Sequence, residues 1–139
     1  MRKRTLAREY ALQVLYKLDI TKDKDLEVVL ANFWLMGVEK EVEEQVKIFA
    51  AELVKGVVNN LEDIDRDISR YATNWKLERM AVVDRNILRL SAYELIFRDD
   101  IPPKVSINEA VELAKKYSEP KSAKFVNGVL DKIKLEKKK

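Results

Sequence analysis

The stretch Val42–Val57, VEEQVKIFAAELVKGV, decides the fold, because its apolar residues Val42, Val46, Phe49, Leu53 and Val57 recur at intervals of 4, 3, 4 and 4. That spacing belongs to one face of an α-helix, and it predicts a long helix over about Glu39–Asn60 with one side buried. Gly56, near the end of this helix, reads as a site of close helix crossing rather than of fraying. Working outward, Ala7, Ala11, Val14 and Leu18 line a first helix over about Arg4–Leu18, with Tyr10 at its flank. A polar connection, Thr21–Asp25, leads to a second helix whose stripe is Leu26, Val29, Leu30, Phe33 and Trp34 and which ends at Gly37. Beyond the central stretch, Ile64, Ile68 and Tyr71 make a short fourth helix, and Asn74 before Trp75 marks a break. A fifth helix over about Leu77–Arg98 carries Met80, Val83, Ile87, Leu90, Leu95 and Ile96 on more than one face, as a central helix would. Asp99, Asp100, Pro102 and Pro103 end it. Ser106 with Glu109 reads as a capping box, with Val105 stapled onto Ala110, opening a sixth helix through Val111, Ala114 and Tyr117. Pro120, at a first-turn position, opens a seventh.

With 3 Gly, 3 Pro and no β-type alternation, the expected fold is all-α, about seven helices in a single domain spanning 1–139. Its natural division is an N-terminal helical subdomain of about 1–74 and a C-terminal one of about 75–139. The composition, 47% hydrophobic and 37% charged, suits a highly charged surface over a real core. At this length folding can bury about two thirds of the chain's surface without disulfides. There are none to form, since Cys is absent. Because His is absent as well, thiolate nucleophiles, zinc-finger ligand sets, Ser-His-Asp triads and imidazole acid–base chemistry are excluded. No signal-peptide pattern and no run near the ~18 apolar residues of a spanning helix is found, so a cytoplasmic protein is expected, with no membrane association and no cofactor.

The net charge of +3 conceals an asymmetry. Arg2, Lys3, Arg4 and Arg8 give the first eight residues +4, and the last eight, with five Lys and one Glu, also carry +4, leaving −5 between them. Basic ends on an acidic body resemble the electrostatic footprint for a polyanion, although basic termini are often only solvated tails. In the seventh helix Lys121, Lys124, Phe125, Gly128 and Lys132 share one face, while Val126, Val129, Leu130 and Ile133 supply the core. An aromatic among lysines is how single-stranded nucleic acid is often held, and Gly128 would let a strand approach the backbone. The alternative is that Phe125 packs inward and Gly128 marks a helix crossing. Glu62, Asp63, Asp65 and Asp67 read as complements to the dipole of the fourth helix rather than as a magnesium site. Arg85, Arg89 and Glu94, interrupting the apolar fifth helix, read as structural ion pairs rather than catalytic groups.

Four separated stretches carry a family resemblance. They are Ala7-Arg8-Glu9 with Gln13-Val14-Leu15-Tyr16; Ile87-Leu88-Arg89-Leu90 with Tyr93-Glu94-Leu95; Ile107-Asn108-Glu109-Ala110 with Glu112-Leu113-Ala114-Lys115; and Lys124-Phe125-Val126-Asn127-Gly128-Val129-Leu130. In these the sequence resembles the NusB family of transcription antitermination factors over nearly its whole length, the last stretch being the most specific. The resemblance implies an all-helical, non-catalytic protein that binds the boxA sequence of nascent RNA together with NusE, the free form of a small-subunit ribosomal protein. The pair would join RNA polymerase antitermination complexes, notably on ribosomal RNA operons.

Carried onto this chain, the RNA surface would comprise Arg2, Lys3, Arg4 and Arg8 with Lys121, Lys124 and Phe125, and the NusE surface would include Tyr16 and Asp84. A homodimer is also compatible, since some members of the family dimerise. The arginine-rich start of the family is shortened here to Arg2-Lys3-Arg4, and Lys121 stands where some relatives are acidic, a change expected to strengthen RNA binding and steepen its salt dependence. Two other readings compete: an RNA-binding module like that of ribosomal RNA cytosine methyltransferases, and a helical protein-binding adaptor. The first lacks a glycine-rich cofactor loop and a catalytic Cys.

Overall fold

Apolar residues spaced three and four apart along nearly the whole chain produce helices throughout. The computed structural model describes residues 2–38 and 40–137. Seven α-helices follow one another: α1 Lys3–Thr21, α2 Leu26–Met36, α3 Glu44–Asn59, α4 Leu61–Tyr71, α5 Val82–Phe97, α6 Pro103–Tyr117 and α7 Pro120–Lys137. A short 3-10 turn, Leu77–Arg79, stands between α4 and α5. No strand occurs among the described residues. None of the helices is long and apolar enough to cross a membrane.

α5 is the centre of the molecule, packed against α1, α3, α4, α6 and α7. Ile87, Leu88 and Leu90 are fully buried in it, and the apolar cluster they belong to draws members from every helix. Gly56 is where α3 crosses α5, since a Cβ built there would fall inside the Tyr93 ring. α2 is fastened by its aromatics, Phe33 and Trp34, which meet Tyr10 of α1 edge-to-face with centroids 5.9 and 5.5 Å away.

Four boundaries differ from the sequence expectation, the first being the end of α1, which runs past Leu18 to Thr21. α3 begins at Glu44, not near Glu39, and Val42 is buried from the extended segment before it. The expected fifth helix is interrupted, because Met80 and Ala81 are extended (ψ 152° and 138°). Met80 is buried there, so apolar burial overrides the helical period at that point. The capping box does not form. Pro103, with its preset φ and no amide to satisfy, starts α6 one turn earlier. Ser106 and Glu109 therefore lie inside the helix, where their side chains turn to Glu94 and Arg8, and Val105 is exposed.

Candidate nucleic-acid interface

The first basic group lies at the start of α1. Arg2 precedes the helix and is exposed. Lys3 reaches Gln45 at 3.0 Å and Glu43 at 3.1 Å, and Arg4 lies 4.3 Å above the Phe49 ring with Asp100 at 3.7 Å. These are exposed pairs, which contribute little to stability and are readily exchanged for a stronger anion. Asp100 is itself held by a two-pronged hydrogen bond from Arg98 (2.9 Å for each nitrogen), which pushes its carboxyl down to about 2.

Arg8 belongs to a different environment from the one the sequence suggested. It is buried, and its Nε and Nη2 donate to Glu94 at 2.7 and 3.0 Å while Nη1 donates to Glu109 at 3.0 Å. Ser106 donates to the same Glu94 carboxylate at 2.7 Å. One turn of α1 thus faces inward with its charge neutralised, and Arg8 is not part of the exposed basic surface. The adjacent Glu9 accepts from Lys116 at 2.7 Å and from the Tyr117 hydroxyl. Burial and the neighbouring Glu9 raise the Tyr117 hydroxyl above its ordinary value, and the hydrogen bond to Glu9 raises Lys116.

The second basic group lies along α7. Lys121 and Lys124 are exposed. Phe125 is half-buried, packed on the apolar cluster on one side and edge-to-face against Trp75 on the other, at 6.2 Å and 67°. The ring therefore has both roles that the sequence left open: it closes the core and borders the surface. Gly128 is no helix crossing, because a Cβ there would meet nothing within 4 Å.

Lys121, Phe125, Trp75 and Asp84 border one groove of about 380 Å³. Lys3 and Arg4 border another, with Ile48 and Phe49. The two basic groups are thus separate, and α6 stands between them, bonded to α1 through Glu109 and Lys116 and packed on α7.

The residues expected to face a protein partner lie on α1 and α5. Tyr16 is 42% exposed on α1. Asp84 is half-buried, and its two oxygens accept from Ser118 at 2.6 Å and Ser122 at 2.9 Å. Its carboxylate ties α5 to the α6–α7 junction, in the same groove as Lys121 and Phe125.

Sequence reasoning missed two features. Trp75, read only as the end of a helix break, is 57% exposed beside Phe125; its signal was a tryptophan in a polar connection. Asp19 was passed over altogether, yet its carboxylate accepts from Arg85 Nε and Nη2 (2.7 and 2.9 Å), Asn86 (2.9 Å), Arg89 (3.0 Å) and Lys22 (3.3 Å). Burial alone would raise its pKa, but these donors hold it well below the usual carboxylate range. Asp19 and Asp65, the latter 2.9 Å from Arg89, are the partners that the arginines of α5 required. Asp63 pairs with Arg66 at 3.0 Å in the first turns of α4.

Fold and surface together define a small all-helical domain that presents a basic, aromatic-edged face from α7 and a second basic group from α1. Comparison with known proteins specifies the class further. The NusB family model matches residues 5–134. The transcription antitermination protein NusB of Bacillus licheniformis is 52% identical over 132 residues, which cover 95% of this chain and 96% of that protein. A solved structure of T. maritima NusB is 40% identical, with a TM-score of 0.85 over 98% of this chain and 92% of that one. A chain from the crystal structure of antitermination factors NusB and NusE in complex with dsRNA is 33% identical, with a TM-score of 0.84 and 98% of each chain covered. This chain belongs to the NusB family.

Proposed function

We propose that this protein is an RNA-binding transcription antitermination factor that binds boxA RNA together with NusE and joins RNA polymerase antitermination complexes on ribosomal RNA operons. The observation that carries the reading is the α7 surface: Lys121 and Lys124 are exposed beside the half-buried Phe125, in a chain of the NusB family. Lysines displace counterions from phosphates, and an aromatic edge receives bases. Lys3 and Arg4 supply further phosphate contacts, with Arg2 beside them. Arg8 acts indirectly, by fixing the helix that carries them. Tyr16 and Asp84 are the proposed NusE contacts; Tyr16 lies one turn before Asp19, whose partner Arg85 neighbours Asp84.

The proposed activity is binding alone, performed in the cytoplasm. A chain without Cys or His has few of the groups that acid–base or nucleophilic catalysis draws on.

The test is titration of the purified protein with a boxA-like RNA and a scrambled RNA of equal length, with and without NusE, across a salt series. Preference for boxA, strengthened by NusE and weakened by salt, is the expected result. Equal, weak and salt-sensitive binding to both RNAs, indifferent to NusE, would reduce the protein to a generic basic adaptor.

A further inference from the structure

We infer that Trp75 is a second base-stacking residue, so that unpaired nucleobases of a single RNA strand lie against Trp75 and Phe125 while the backbone crosses α7 over Gly128, between Lys124 and Lys132. This rests on the RNA-binding reading above and adds to it a residue, a path and a ligand class.

Trp75 is both exposed and held. Its backbone N–H donates to Ala72 at 3.1 Å, and the segment carrying it is pinned by buried Ala72 on one side and buried Met80 on the other. A large ring left 57% exposed forgoes the favourable burial that most tryptophans obtain. It borders three grooves at once.

The charges lining these grooves select among them. The groove toward Lys121 sets two cations, Lys121 and Arg79, against two carboxylates, Asp84 and Glu119, so its charges balance. The groove of about 240 Å³ toward Gly128 is lined by Tyr71, Trp75, Lys124, Phe125 and Lys132 among others, with no described carboxylate. A phosphate backbone is therefore drawn through the second. Its floor is bare helix at Gly128, where an added Cβ would meet nothing within 4 Å. Glycine is the poorest helix former apart from proline, so packing and propensity leave its place inside α7 unexplained, whereas the approach of a strand explains it.

The two rings stand 67° apart and so cannot both lie flat against one continuous stack of bases. They suit bases splayed from a single strand, the usual form in which proteins read RNA.

The experiment compares the full chain with Trp75→Ala and Trp75→Phe, using a short single-stranded RNA and the same sequence as a duplex. Trp75→Ala is expected to weaken single-strand binding about tenfold or more with an unchanged salt slope, since no charge is lost, and Trp75→Phe to recover most of it. In a Trp34→Phe protein, where Trp75 is the remaining tryptophan, the single strand is expected to quench its emission. If Trp75→Ala loses helical circular dichroism, the emission of the intact ring decides: quenching upholds the inference and an unmoved signal overturns it. Binding that Lys124→Ala weakens but Trp75→Ala does not, with emission unmoved, overturns the role of Trp75 and leaves the RNA-binding reading standing. Duplex binding as tight and as strongly quenching as the single strand also overturns it. Failure of the unaltered protein to bind any RNA, with or without NusE, overturns the RNA-binding reading and this inference together.

Discussion

Arg8 and Lys124 both carry a positive charge, but at Arg8 the guanidinium is buried against Glu94 and Glu109, whereas Lys124 reaches solvent from α7. Removing one member of a buried pair strands its partner, so Arg8→Ala is expected to lower the unfolding free energy by about 3–5 kcal/mol in denaturant titrations. Because Arg8 touches no phosphate, the slope of log affinity against log salt is expected to stay the same wherever the variant remains folded. Lys124→Ala has the opposite signature: stability within about 0.5 kcal/mol of the parent, and a salt slope reduced by about 1. An unchanged slope in Lys124→Ala would remove that residue from the RNA path. Both residues are charged letters in helical stretches, and their spacing does not distinguish them. What separates them is whether an acidic residue from a distant part of the chain arrives to meet the charge, as Glu94 does for Arg8.

Among the helices, two glycines show how far local pattern can be read. Gly56 sits where α3 meets Tyr93 of α5, and the sequence expectation of a crossing there agrees with the structure. Gly56→Ala is expected to cost about 1–3 kcal/mol by overpacking, with part of the loss recovered when Tyr93 is also shortened to Val; a double-mutant cycle by thermal or chemical unfolding measures the coupling. Gly128 lies on an open helix face, so Gly128→Ala is expected to stabilise the protein by about 1 kcal/mol in the same assay, the difference in helix propensity. The extent of α2 and the start of α7 were legible because the polar connection before Leu26, Gly37 and Pro120 mark them. The interruption near Met80 was not, because the residues on both sides keep a helical period and only the burial of Met80 breaks it. The Ser106–Glu109 pair misled for a related reason: a capping box needs a helix that begins there, and the prolines start α6 one turn earlier. That interruption carries Arg79 and follows the expected break at Trp75, whose place beside Phe125 no local pattern could show.

For the molecule as a whole, ion pairs fasten α1 to the C-terminal helices: buried ones from Arg8 to Glu94 and Glu109 and from Asp19 to Arg85 and Arg89, and a part-exposed one from Glu9 to Lys116. Asp19 titrates below its unfolded value of about 4, so the stability it contributes is fully present above that value and is lost as pH falls through the lower folded value. Unfolding free energy is therefore expected to decline below about pH 4. In Asp19→Asn the decline is expected to be shallower, from a starting stability about 3–5 kcal/mol lower at neutral pH, as urea titrations over a pH series would record.

The sequence by itself determined the all-helical class, the order of the helices, the apolar face of each and the cationic stripe on α7, because periodicity, proline and glycine placement and charge spacing act over a few residues. Only the tertiary structure decided that Arg8 is an interior tie, that Asp19 gathers five donors, and that Trp75 stands beside Phe125. All of those pairings except Asp19 with Lys22 join residues far apart in the chain, and the energy of a charge or an exposed ring depends on which partner or how much water surrounds it after folding.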